Sequence, residues 1–487
     1  MKLIDLLRDV VDIDESYLDQ NIDIKDIKID DKKIEEGDLF IALKGVNSNG
    51  NDYIDSALQR GAALVISDEK SGEKILKVEN ARSAYAKICK NFFCRCCDDL
   101  KIIAVTGTNG KTTIANITGE LLKFSGEKVG IIGTLGAKIG DEVIDTGLTT
   151  PDPYMLHSIF KSMKEKGCDY VVMEASAHAL SLNKLDGIKF DIGVLTNITE
   201  DHLDFFENMD SYAAAKFKLF EKGRCKSALI CKDDLYGQLL LTECKIPTFS
   251  YSIKEKADIE ASQIVKSFGG SEFDCSFLGN IAHFKVNLAG EYNIENALAT
   301  IGISSLLNVK NEEIVKGLAS LNPVEGRFNI IKLKGANVVI DYAHTPDGLE
   351  NVLKTAREIG KDNKLVAIFG CGGNRDKQKR PIMGRIASRL ADYVILTSDN
   401  PRLEDPYQII NDIKAGVDKK CLVIEKRSDA IKYALSHFNN GETIVIAGKG
   451  AEKYQDKGGV KYPYNDFDEV YKFCRENFSP DPYIEKN

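Results

Sequence analysis

Short, continuous runs of apolar residues alternate along this chain with longer stretches whose apolar positions recur at helical spacing. The runs cover residues 64–66, 102–105, 170–173, 192–195, 338–340, 365–369, 393–397 and 443–447. Such runs are typical of strands buried on both faces, and the helical stretches between them are typical of crossover connections. The pattern therefore predicts an α/β fold built on parallel sheets.

The chain is long enough for several domains. At about 150 residues per domain, 487 residues predict about three. The first block, 1–98, ends after a cysteine cluster and just before the run at 102–105. The second, 99–325, ends where Arg327 opens a new strand and helix alternation, and the third is 326–487. Glycine and proline occur in short turns, so we expect the blocks to be joined compactly.

Composition and charge exclude several classes of protein. With 65 Lys and Arg against 74 Asp and Glu, the net charge of -9 provides no excess for a nucleic-acid backbone. The 43% hydrophobic and 29% charged residues exclude global disorder. No run approaches the roughly 18 apolar residues needed to span a bilayer, and acidic residues interrupt the first 16 positions where a signal peptide would be apolar. We expect a cytoplasmic protein without membrane insertion, whose 12 cysteines are thiols.

A glycine-rich loop follows the apolar run at 102–105. Its residues are Thr106, Gly107, Thr108, Asn109, Gly110, Lys111, Thr112 and Thr113, and helical periodicity follows them. In such a unit backbone N–H groups and the helix N-terminus bind phosphate, a lysine reaches the β and γ phosphates, and a threonine hydroxyl binds Mg²⁺. Val105 replaces the first glycine of the common pattern, which makes this a shorter variant. The loop predicts a nucleotide site, and GTPase, kinase, motor and ligase all remain open.

Two later apolar runs each end in a carboxylate and a histidine. Glu174 and His178 follow the run at 170–173, and Asp201, His202 and Asp204 follow the run at 192–195. Because parallel strands bring their carboxyl ends to one sheet edge, we expect these groups beside the phosphate loop. The combination favours a Mg²⁺ and phosphate site over histidines that merely hydrogen-bond within loops.

Together these motifs resemble the central domain of the Mur ligases, which build the peptide stem of bacterial peptidoglycan. The resemblance rests on TGTNGKTT at 106–113, TTPD at 149–152, MEASAHAL at 173–180, TNITEDHLDF at 196–205 and YAAAK at 212–216. It continues with GDLFIA at 37–42, GEYN at 290–293, GR at 326–327 and DYAHTPD at 341–347. Practically the whole chain is covered.

The resemblance implies three α/β domains and an ATP-dependent ligase. The expected order is a uridine-nucleotide domain, a P-loop ATPase-like domain and a Rossmann-like domain. In the implied reaction an acceptor carboxylate takes the γ-phosphoryl group of ATP, and an amine then displaces phosphate. The residues implied to bind ATP are those of the loop 106–113 with Asn293, Arg327 and His344.

The resemblance also implies a catalytic group of Lys111, Lys216, Glu174 and His202. The implied Mg²⁺ ligands are Thr112, Glu174, His202 and Lys216, the last as a carbamate. An unmodified Lys216 on an exposed helix face is the alternative.

The C-terminal block resembles the family members that add meso-diaminopimelate. Their recognition motif is similar to Asp399, Asn400, Pro401 and Arg402, and its companions are similar to Arg375, Gly448 and Glu452. Diaminopimelate carries a second amino-acid head group, for which an arginine and a carboxylate are suitable partners. L-Lysine would present an ammonium alone. The alternative for Arg402 is a turn-capping role.

The implied acceptor is UDP-N-acetylmuramoyl-L-alanyl-D-glutamate, and we expect a monomer. The residues implied to bind this acceptor are Asp31, Lys32, Thr149, Thr150, Ser176 and Lys184. Several of these positions depart from the family pattern, since Asp31-Lys32 stands for Ser-Arg and Lys184 for Arg. A divergent ligase for another amine or acceptor, and a P-loop switch that only hydrolyses nucleotide, are the competing hypotheses.

Overall fold

The computed structural model contains three α/β units, each built on its own mainly parallel sheet, as the apolar pattern predicts. It describes residues 1–10, 22–45, 48–333, 336–438 and 441–477, so residues 11–16 of the segment that was compared with a signal peptide lie outside the described part. In the described part of the chain, no helix combines the length and apolar character that a membrane span requires.

The N-terminal unit has a four-stranded parallel sheet in the order β1-β2-β3-β4. Its strands are β1 (Ile27–Lys28), β2 (Leu39–Ile41), β3 (Leu64–Ser67) and β4 (Ile75–Lys77). Its helices are α1 (Leu3–Leu6), α2 (Ile54–Gln59) and α3 (Ala81–Phe92), with 3₁₀ turns at Asp31–Lys33, Gly50–Tyr53 and Cys96–Asp99. Strands β2 and β3 are buried along their whole length, because helices cover both faces of the sheet.

The central unit has eleven strands in the order β15-β14-β13-β12-β11-β10-β5-β9-β6-β7-β8. The strands are β5 (Lys101–Thr106), β6 (Val129–Gly133), β7 (Gly136–Ile139), β8 (Glu142–Ile144), β9 (Tyr170–Glu174), β10 (Phe190–Leu195), β11 (Cys225–Cys231), β12 (Thr248–Ser252), β13 (Ile259–Ser267), β14 (Gly270–Phe277) and β15 (Asn280–Val286). From β6 to β13 across the sheet the neighbours are parallel, and both edges are antiparallel. Strand β5 lies between β10 and β9, so its carboxyl end opens at the crevice where such sheets bind ligands.

Helices cover both faces of this central sheet. They are α4 (Lys111–Phe124), α5 (Pro153–Glu165), α6 (Ala177–Ser181), α7 (Leu203–Phe206), α8 (Met209–Phe217), α9 (Leu235–Glu243), α10 (Glu291–Leu306) and α11 (Asn311–Ser320), with a 3₁₀ turn at Lys218–Phe220. Successive residues of β5 belong to opposite cores: Ile102 and Ala104 pack on one face, and Ile103 and Val105 pack on the other. This two-sided burial explains why the run is apolar at every position.

The C-terminal unit has a six-stranded sheet in the order β16-β17-β21-β18-β19-β20 and a separate hairpin β22-β23. The strands are β16 (Asn329–Leu333), β17 (Ala336–Asp341), β18 (Leu365–Phe369), β19 (Tyr393–Leu396), β20 (Leu422–Val423), β21 (Thr443–Ala447), β22 (Tyr454–Lys457) and β23 (Val460–Pro463). The helices are α12 (Pro346–Gly360), α13 (Lys379–Leu390), α14 (Pro406–Lys414), α15 (Arg427–His437) and α16 (Asp466–Asn477). Only β16 is antiparallel to its neighbour within the described sheet.

Candidate active site

The glycine-rich loop connects β5 to α4 at the centre of the eleven-stranded sheet. The N–H of Thr108 donates to the carbonyl of Asn197 at 2.8 Å, and the N–H of Asn109 donates to the Oδ1 atom of Asn197 at 2.9 Å. The Oγ1 atom of Thr196 donates to the carbonyl of Asn109 at 2.6 Å. The segment that follows β10 therefore holds the loop in place.

Two glycines are required by the close packing of this loop. Gly107 has φ +146°, and a Cβ atom there would lie 1.7 Å from the Oγ1 atom of Thr196. Gly110 has φ +86°, and a Cβ atom there would lie 2.6 Å from the Oδ1 atom of Asn296. Any side chain at either position would force the loop away from these neighbours, so both positions need glycine.

Lys111 lies across the loop that it follows. Its Nζ atom donates to the carbonyls of Gly107 at 2.9 Å and Thr108 at 2.8 Å. Burial lowers the pKa of Lys111, and the charges of Glu174 and Asp201 partly offset that effect. The ammonium thus lies beside the backbone of the glycine-rich loop.

Glu174 ends β9 on one side of β5 and is almost fully buried. Its Oε1 atom accepts a hydrogen bond from the N–H of Thr134 at 2.8 Å, and its Oε2 atom accepts from the Oγ1 atom of Thr134 at 3.2 Å. A Cβ atom at Gly133 would lie only 2.2 Å from Oε1. The strand β6 therefore sets the position of this carboxylate.

His202 lies on the other side of β5, in the segment after β10, with a left-handed φ of 56°. Its Nε2 atom is 3.3 Å from the Oδ2 atom of Asp201, and its ring centroid is 4.7 Å from that of His178. Burial lowers the pKa of His202 to about 4 despite the nearby Asp201 carboxylate. The imidazole is therefore neutral at pH 7, the form that can ligate a metal.

Lys216 is buried on α8, with only 1% of its surface exposed. Its Nζ atom donates to the carbonyl of Gly107 at 2.8 Å and lies 4.2 Å from the ring centroid of Tyr212. Burial, and then the charge of Lys111, lower the pKa of Lys216 well below its usual value. The alternative of a lysine on an exposed helix face is wrong for this structure.

Two of the implied ATP residues, Arg327 and His344, belong to the C-terminal unit, and Arg327 contacts the glycine-rich loop. The Nη2 atom of Arg327 donates to the Oγ1 atom of Thr112 at 3.1 Å, and its guanidinium lies 4.5 Å from the ring centroid of Tyr342. The Nδ1 atom of His344 is 2.9 Å from the carbonyl of Tyr342. Burial, and then the charge of Lys379, lower the pKa of His344 to about 4, so its ring is neutral at pH 7.

These elements surround a cavity of about 370 Å³ between the central and C-terminal units. Residues of the glycine-rich loop and of the segments implied to bind the amine line it together. The expected site residues that line it are Thr108, Asn109, Gly110, Lys111, Thr112, Thr113, Thr149, Glu174, His202, Arg327, His344, Arg375, Asp399, Asn400, Arg402, Gly448 and Glu452. Groups that are hundreds of residues apart in sequence therefore share one space.

The DNPR segment (399–402) and the GKGAE segment (448–452) are joined by hydrogen bonds among buried and partly buried side chains. The Nδ2 atom of Asn400 donates to the Oε2 atom of Glu452 at 2.9 Å. Lys449, which is fully buried, donates to the Oε2 atom of Glu452 at 2.7 Å and to the Oδ1 atom of Asn400 at 3.0 Å. Gly448 has φ +118°, and a Cβ atom there would lie 2.6 Å from the Oδ2 atom of Asp399. Asp399 and Glu452 both line the cavity beside these contacts.

The DNPR segment also packs against the GNRD segment (373–376). The Nη1 atom of Arg402 donates to the carbonyl of Gly373 at 2.7 Å, and Arg402 has a left-handed φ of 52°. A Cβ atom at Gly373 would lie 2.0 Å from the carbonyl oxygen of Pro401. Arg375 is exposed and lines the cavity beside these loops. The side chain of Arg402 thus belongs to the cavity wall, which is more than a turn-capping role requires.

The residues implied to bind the acceptor divide into two groups. Thr149, Thr150 and Ser176 lie next to Glu174: the Oγ1 atom of Thr150 donates to the Glu174 carbonyl at 2.8 Å and to the Ser176 Oγ atom at 3.2 Å. The Oγ1 atoms of Thr149 and Thr134 are 3.1 Å apart. Lys184 forms an ion pair of 2.6 Å with Asp152.

The second group, Asp31 and Lys32, lies in the 3₁₀ turn of the N-terminal unit and does not line the cavity. The Oδ2 atom of Asp31 accepts a hydrogen bond from the Oγ atom of Ser56 at 2.7 Å, and Lys32 is exposed.

Sequence reasoning named one residue of α10 and missed its neighbour. Asn293 does not line the cavity; its Nδ2 atom donates to the carbonyl of Ala289 at 2.8 Å, and its Oδ1 atom accepts from Asn296 at 3.1 Å. Asn296 lines the cavity instead, and its position three residues later on the same helix was the available signal. Asp201, which the sequence predicted beside the glycine-rich loop, lines the cavity, and so does Lys379, which the sequence analysis did not name.

Comparisons with known proteins agree with this arrangement. Family profiles match as Mur ligase family, catalytic domain (residues 23–92), Mur ligase middle domain (residues 105–304) and Mur ligase, glutamate ligase domain (residues 326–450). A UDP-N-acetylmuramoyl-L-alanyl-D-glutamate--2,6-diaminopimelate ligase from Clostridium tetani is 42% identical over 445 residues, which is 89% of this chain and 91% of the relative.

Solved structures are similar over nearly the full length. A structure of a UDP-N-acetylmuramoyl-L-alanyl-D-glutamate--2,6-diaminopimelate ligase is 32% identical, with a TM-score of 0.70 over 98% of this chain and 99% of that chain. A MurF ligase from Thermotoga maritima in complex with ADP shares the fold, with 21% identity and a TM-score of 0.61 over 93% of this chain and 97% of that chain. The family profiles and the 42% identical relative show that this chain belongs to the Mur ligase family.

Proposed function

We propose that the chain joins meso-2,6-diaminopimelate to the D-glutamyl carboxylate of UDP-N-acetylmuramoyl-L-alanyl-D-glutamate, an ATP-dependent step of peptidoglycan precursor synthesis. The observation that carries this proposal is the shared cavity, which the phosphate loop and the three amine-recognition motifs line together. The relative from Clostridium tetani bears the name of this enzyme, which supports the assignment.

In the proposed first step the acceptor carboxylate attacks the γ-phosphorus of ATP, ADP leaves, and an acyl phosphate forms. Residues 106–113 and α4 would bind the phosphates, and the Lys111 ammonium would neutralise charge on the transferred group. Arg327 and His344 would close on the nucleotide from the C-terminal unit, because they already contact the loop and the cavity. ADP in the related Thermotoga structure supports the nucleotide assignment.

The donors around the loop also suit Mg²⁺. Thr112 offers a hydroxyl, Glu174 a buried carboxylate and His202 a neutral imidazole, and hard oxygen donors are what Mg²⁺ prefers. Bound there, Mg²⁺ would withdraw charge from the phosphoryl oxygens. Glu174 is fixed by Thr134 for this role, and Thr112 is positioned by Arg327.

Lys216 would join the ligand set as a carbamate. Only a neutral amine adds CO₂, and the lowered pKa of Lys216 favours that form. Addition of CO₂ with loss of a proton would turn this neutral amine into an anion, which the charge of Lys111 would attract, whereas it disfavours the ammonium form.

In the proposed second step the amine of diaminopimelate attacks the acyl carbon and phosphate leaves. Arg402 and Arg375 would bind the distal carboxylate of the amine, and Glu452 and Asp399 would face its distal ammonium. Both protein contacts of Glu452 use Oε2, so Oε1 remains to accept a hydrogen bond from that ammonium. The pocket would thereby hold the reactive amine against the acyl phosphate.

The remaining roles follow from the same proposal. Residues 1–98 would bind the uridine nucleotide through Asp31 and Lys32, residues 99–325 would bind ATP, and residues 326–487 would bind the amine. Thr149, Thr150, Ser176 and Lys184 would contact the peptide end of the acceptor near Glu174. The enzyme would act as a monomer in the cytoplasm, where its nucleotide substrates are available.

A phosphate-release assay tests the function. The purified chain is given ATP, Mg²⁺, the UDP-muramoyl dipeptide and either meso-diaminopimelate or L-lysine, with each component omitted in turn. We expect phosphate release only when acceptor and amine are both present, and a clear preference for diaminopimelate. Brisk hydrolysis without both would instead support the nucleotide switch, and a preference for lysine would overturn the amine assignment.

Two lysine variants on α4 complete that test. Lys111→Ala should lose nearly all turnover, because it removes the cation beside the transferred phosphoryl group. Lys123→Ala, at the other end of the same helix in an ion pair with Glu120, should keep it.

A further inference from the structure

Lys379 is a buried cation of the cavity that neither the sequence motifs nor the function above uses. It is the first residue of α13, it lines the cavity, and only 7% of its surface is exposed. Among the described residues its ammonium has no hydrogen bond or ion pair. By contrast, the buried cation Lys111 and the cavity arginines Arg327 and Arg402 each donate a hydrogen bond to protein oxygen.

An unpaired ammonium in such a place is unfavourable for the protein alone. Removing a charge from water costs free energy that is recovered only by a counter-charge or by hydrogen bonds. Among the described residues no carboxylate forms an ion pair with Lys379 and no group accepts a hydrogen bond from its ammonium, although Asp201 and Asp399 line the same cavity. The missing partner is therefore expected to be an anion that enters the cavity.

The position of Lys379 is fixed by its neighbour. Arg380 is fully buried, and its guanidinium donates to Glu404 at 3.0 and 3.1 Å, to Asp412 at 2.9 Å and to the carbonyl of Gly372 at 3.3 Å. These bonds anchor the start of α13 to the GNRD loop and to α14. The backbone at Lys379 is therefore held beside the cavity by a buried network.

Lys379 also faces the nucleotide side of the cavity. Burial is the largest cause of the lowered pKa of His344, and the positive charge of Lys379 is the second. The same charge also contributes to the lowered pKa of Asp201, which burial alone would raise. Both residues belong to the wall that carries Arg327 and the phosphate loop. Lys379 itself comes from the segment that carries Arg375, so it lies between the nucleotide wall and the amine motifs.

We propose that Lys379 is a catalytic residue that binds the phosphoryl group in transit between ATP and the departing phosphate. The proposal rests on the ligase function given above. In the first step the carboxylate oxygen forms a bond to γ-phosphorus as the bond to the ADP oxygen breaks. In the second step the neutral amine bonds to the acyl carbon, the C–O bond to phosphate breaks, and the N–H proton leaves with the phosphate as HPO₄²⁻. Lys379 stays protonated and stabilises the anion in both steps.

The test compares Lys379→Met, Lys379→Arg and a matched control, Lys377→Met, in the full chain. Lys377 lies two residues earlier with 67% of its side chain exposed, in an ion pair of 3.6 Å with Glu404. We expect Lys379→Met to lower kcat by about 100-fold or more with less than about a threefold change in the KM for the amine. Lys379→Arg should recover part of kcat, and Lys377→Met should match wild type.

Thermal unfolding separates catalysis from structure. Because Lys379 is an unpaired buried charge, Lys379→Met should keep or raise the Tm while it loses turnover. A lower Tm with a proportionate loss of activity would make Lys379 structural and overturn the proposal. A rise in the amine KM at unchanged kcat would reassign it to a substrate carboxylate, and wild-type turnover in Lys379→Met would also refute it.

A separate result would show that the proposed ligase function itself is wrong. In that case the wild-type chain would release no phosphate with diaminopimelate, and the comparison would be made with whichever amine and acceptor it does use. Retained turnover in Lys379→Met with those substrates would still overturn the role of Lys379.

Discussion

Arg402 offers a direct test of how the enzyme would distinguish diaminopimelate from lysine. One guanidinium nitrogen, Nη1, is used by the carbonyl of Gly373, and the side chain lines the cavity while half-buried. The other N–H groups are available to a ligand. A carboxylate on the far end of the amine substrate would therefore accept charge-assisted hydrogen bonds from Arg402.

The structure sets the size of the expected effect. Each hydrogen bond to a charged group contributes about 1.5 to 3 kcal/mol. Because Arg402 is partly exposed, we expect its hydrogen bonds with the substrate carboxylate to contribute values near the lower end of that range. We therefore expect Arg402→Ala to cost diaminopimelate about 2 to 4 kcal/mol in kcat/KM, which is about 30- to 700-fold. L-Lysine has no distal carboxylate, so it should lose far less. Discrimination between the two amines should shrink by nearly the whole factor.

The assay is phosphate release at saturating ATP and acceptor, with kcat/KM measured for both amines. Arg402→Lys is expected to recover only part of the discrimination, because a lysine cannot make the paired contacts of a guanidinium. Arg389→Ala serves as the matched control, since Arg389 is exposed on α13 and contacts only Glu350 among the described residues. An equal loss for both amines in Arg402→Ala would refute the reasoning.

Three further predictions concern the proposed metal ligands and the core. Gly133→Ala should abolish turnover, since its Cβ atom would lie 2.2 Å from the Oε1 atom of Glu174 and displace that carboxylate; normal kcat would contradict the assigned role. Lys216→Ala should be nearly inactive and partly rescued by added acetate, which replaces the carbamate anion, and full activity without acetate would exclude the carbamate. Burial lowers the pKa of His157 to about 3, and its Nε2 atom has no hydrogen-bond partner in the described structure. Because the pKa of His157 is lower in the folded than in the unfolded state, neutral His157 contributes its full stabilisation of the fold above pH 6.5. That contribution is lost as the pH falls toward 3. From pH 7 to pH 5 the unfolding free energy should therefore fall by about 2 kcal/mol more in wild type than in His157→Leu. Urea titration measures this difference, and His437→Leu, a change of an exposed histidine, is the control. An equal dependence on pH in wild type and His157→Leu would contradict the prediction.

The central fold was predictable because its signals are local. The run at 102–105 is apolar at every position, since helices cover both faces of β5, and this pattern predicted a buried parallel strand. The strands β13 to β15 were not predicted, because their burial alternates with exposure and their antiparallel partners are set by pairing across the sheet. The separate hairpin β22-β23 was missed for the same reason, since it has a polar, exposed strand.

The phosphate loop was likewise predictable from a few consecutive residues. A strand, two glycines and a lysine before a helix predict a phosphate site wherever they occur, because the binding groups are the backbone N–H groups of that same segment. The amine motifs were named from their resemblance to the family members that add meso-diaminopimelate, and each follows a buried strand. No single segment indicated that these motifs would line one shared cavity.

The sequence by itself therefore determined the strand and helix pattern, the nucleotide loop and the identity of the motifs. Only the tertiary structure decided that Arg327 contacts Thr112, that Lys216 is buried against Gly107, and that Lys379 faces the cavity without a partner. Burial and pairing are properties of the whole packed molecule. A lysine on a helix has the same local sequence signal whether its ammonium faces solvent or a closed cavity, and its pKa and its chemistry depend on that difference.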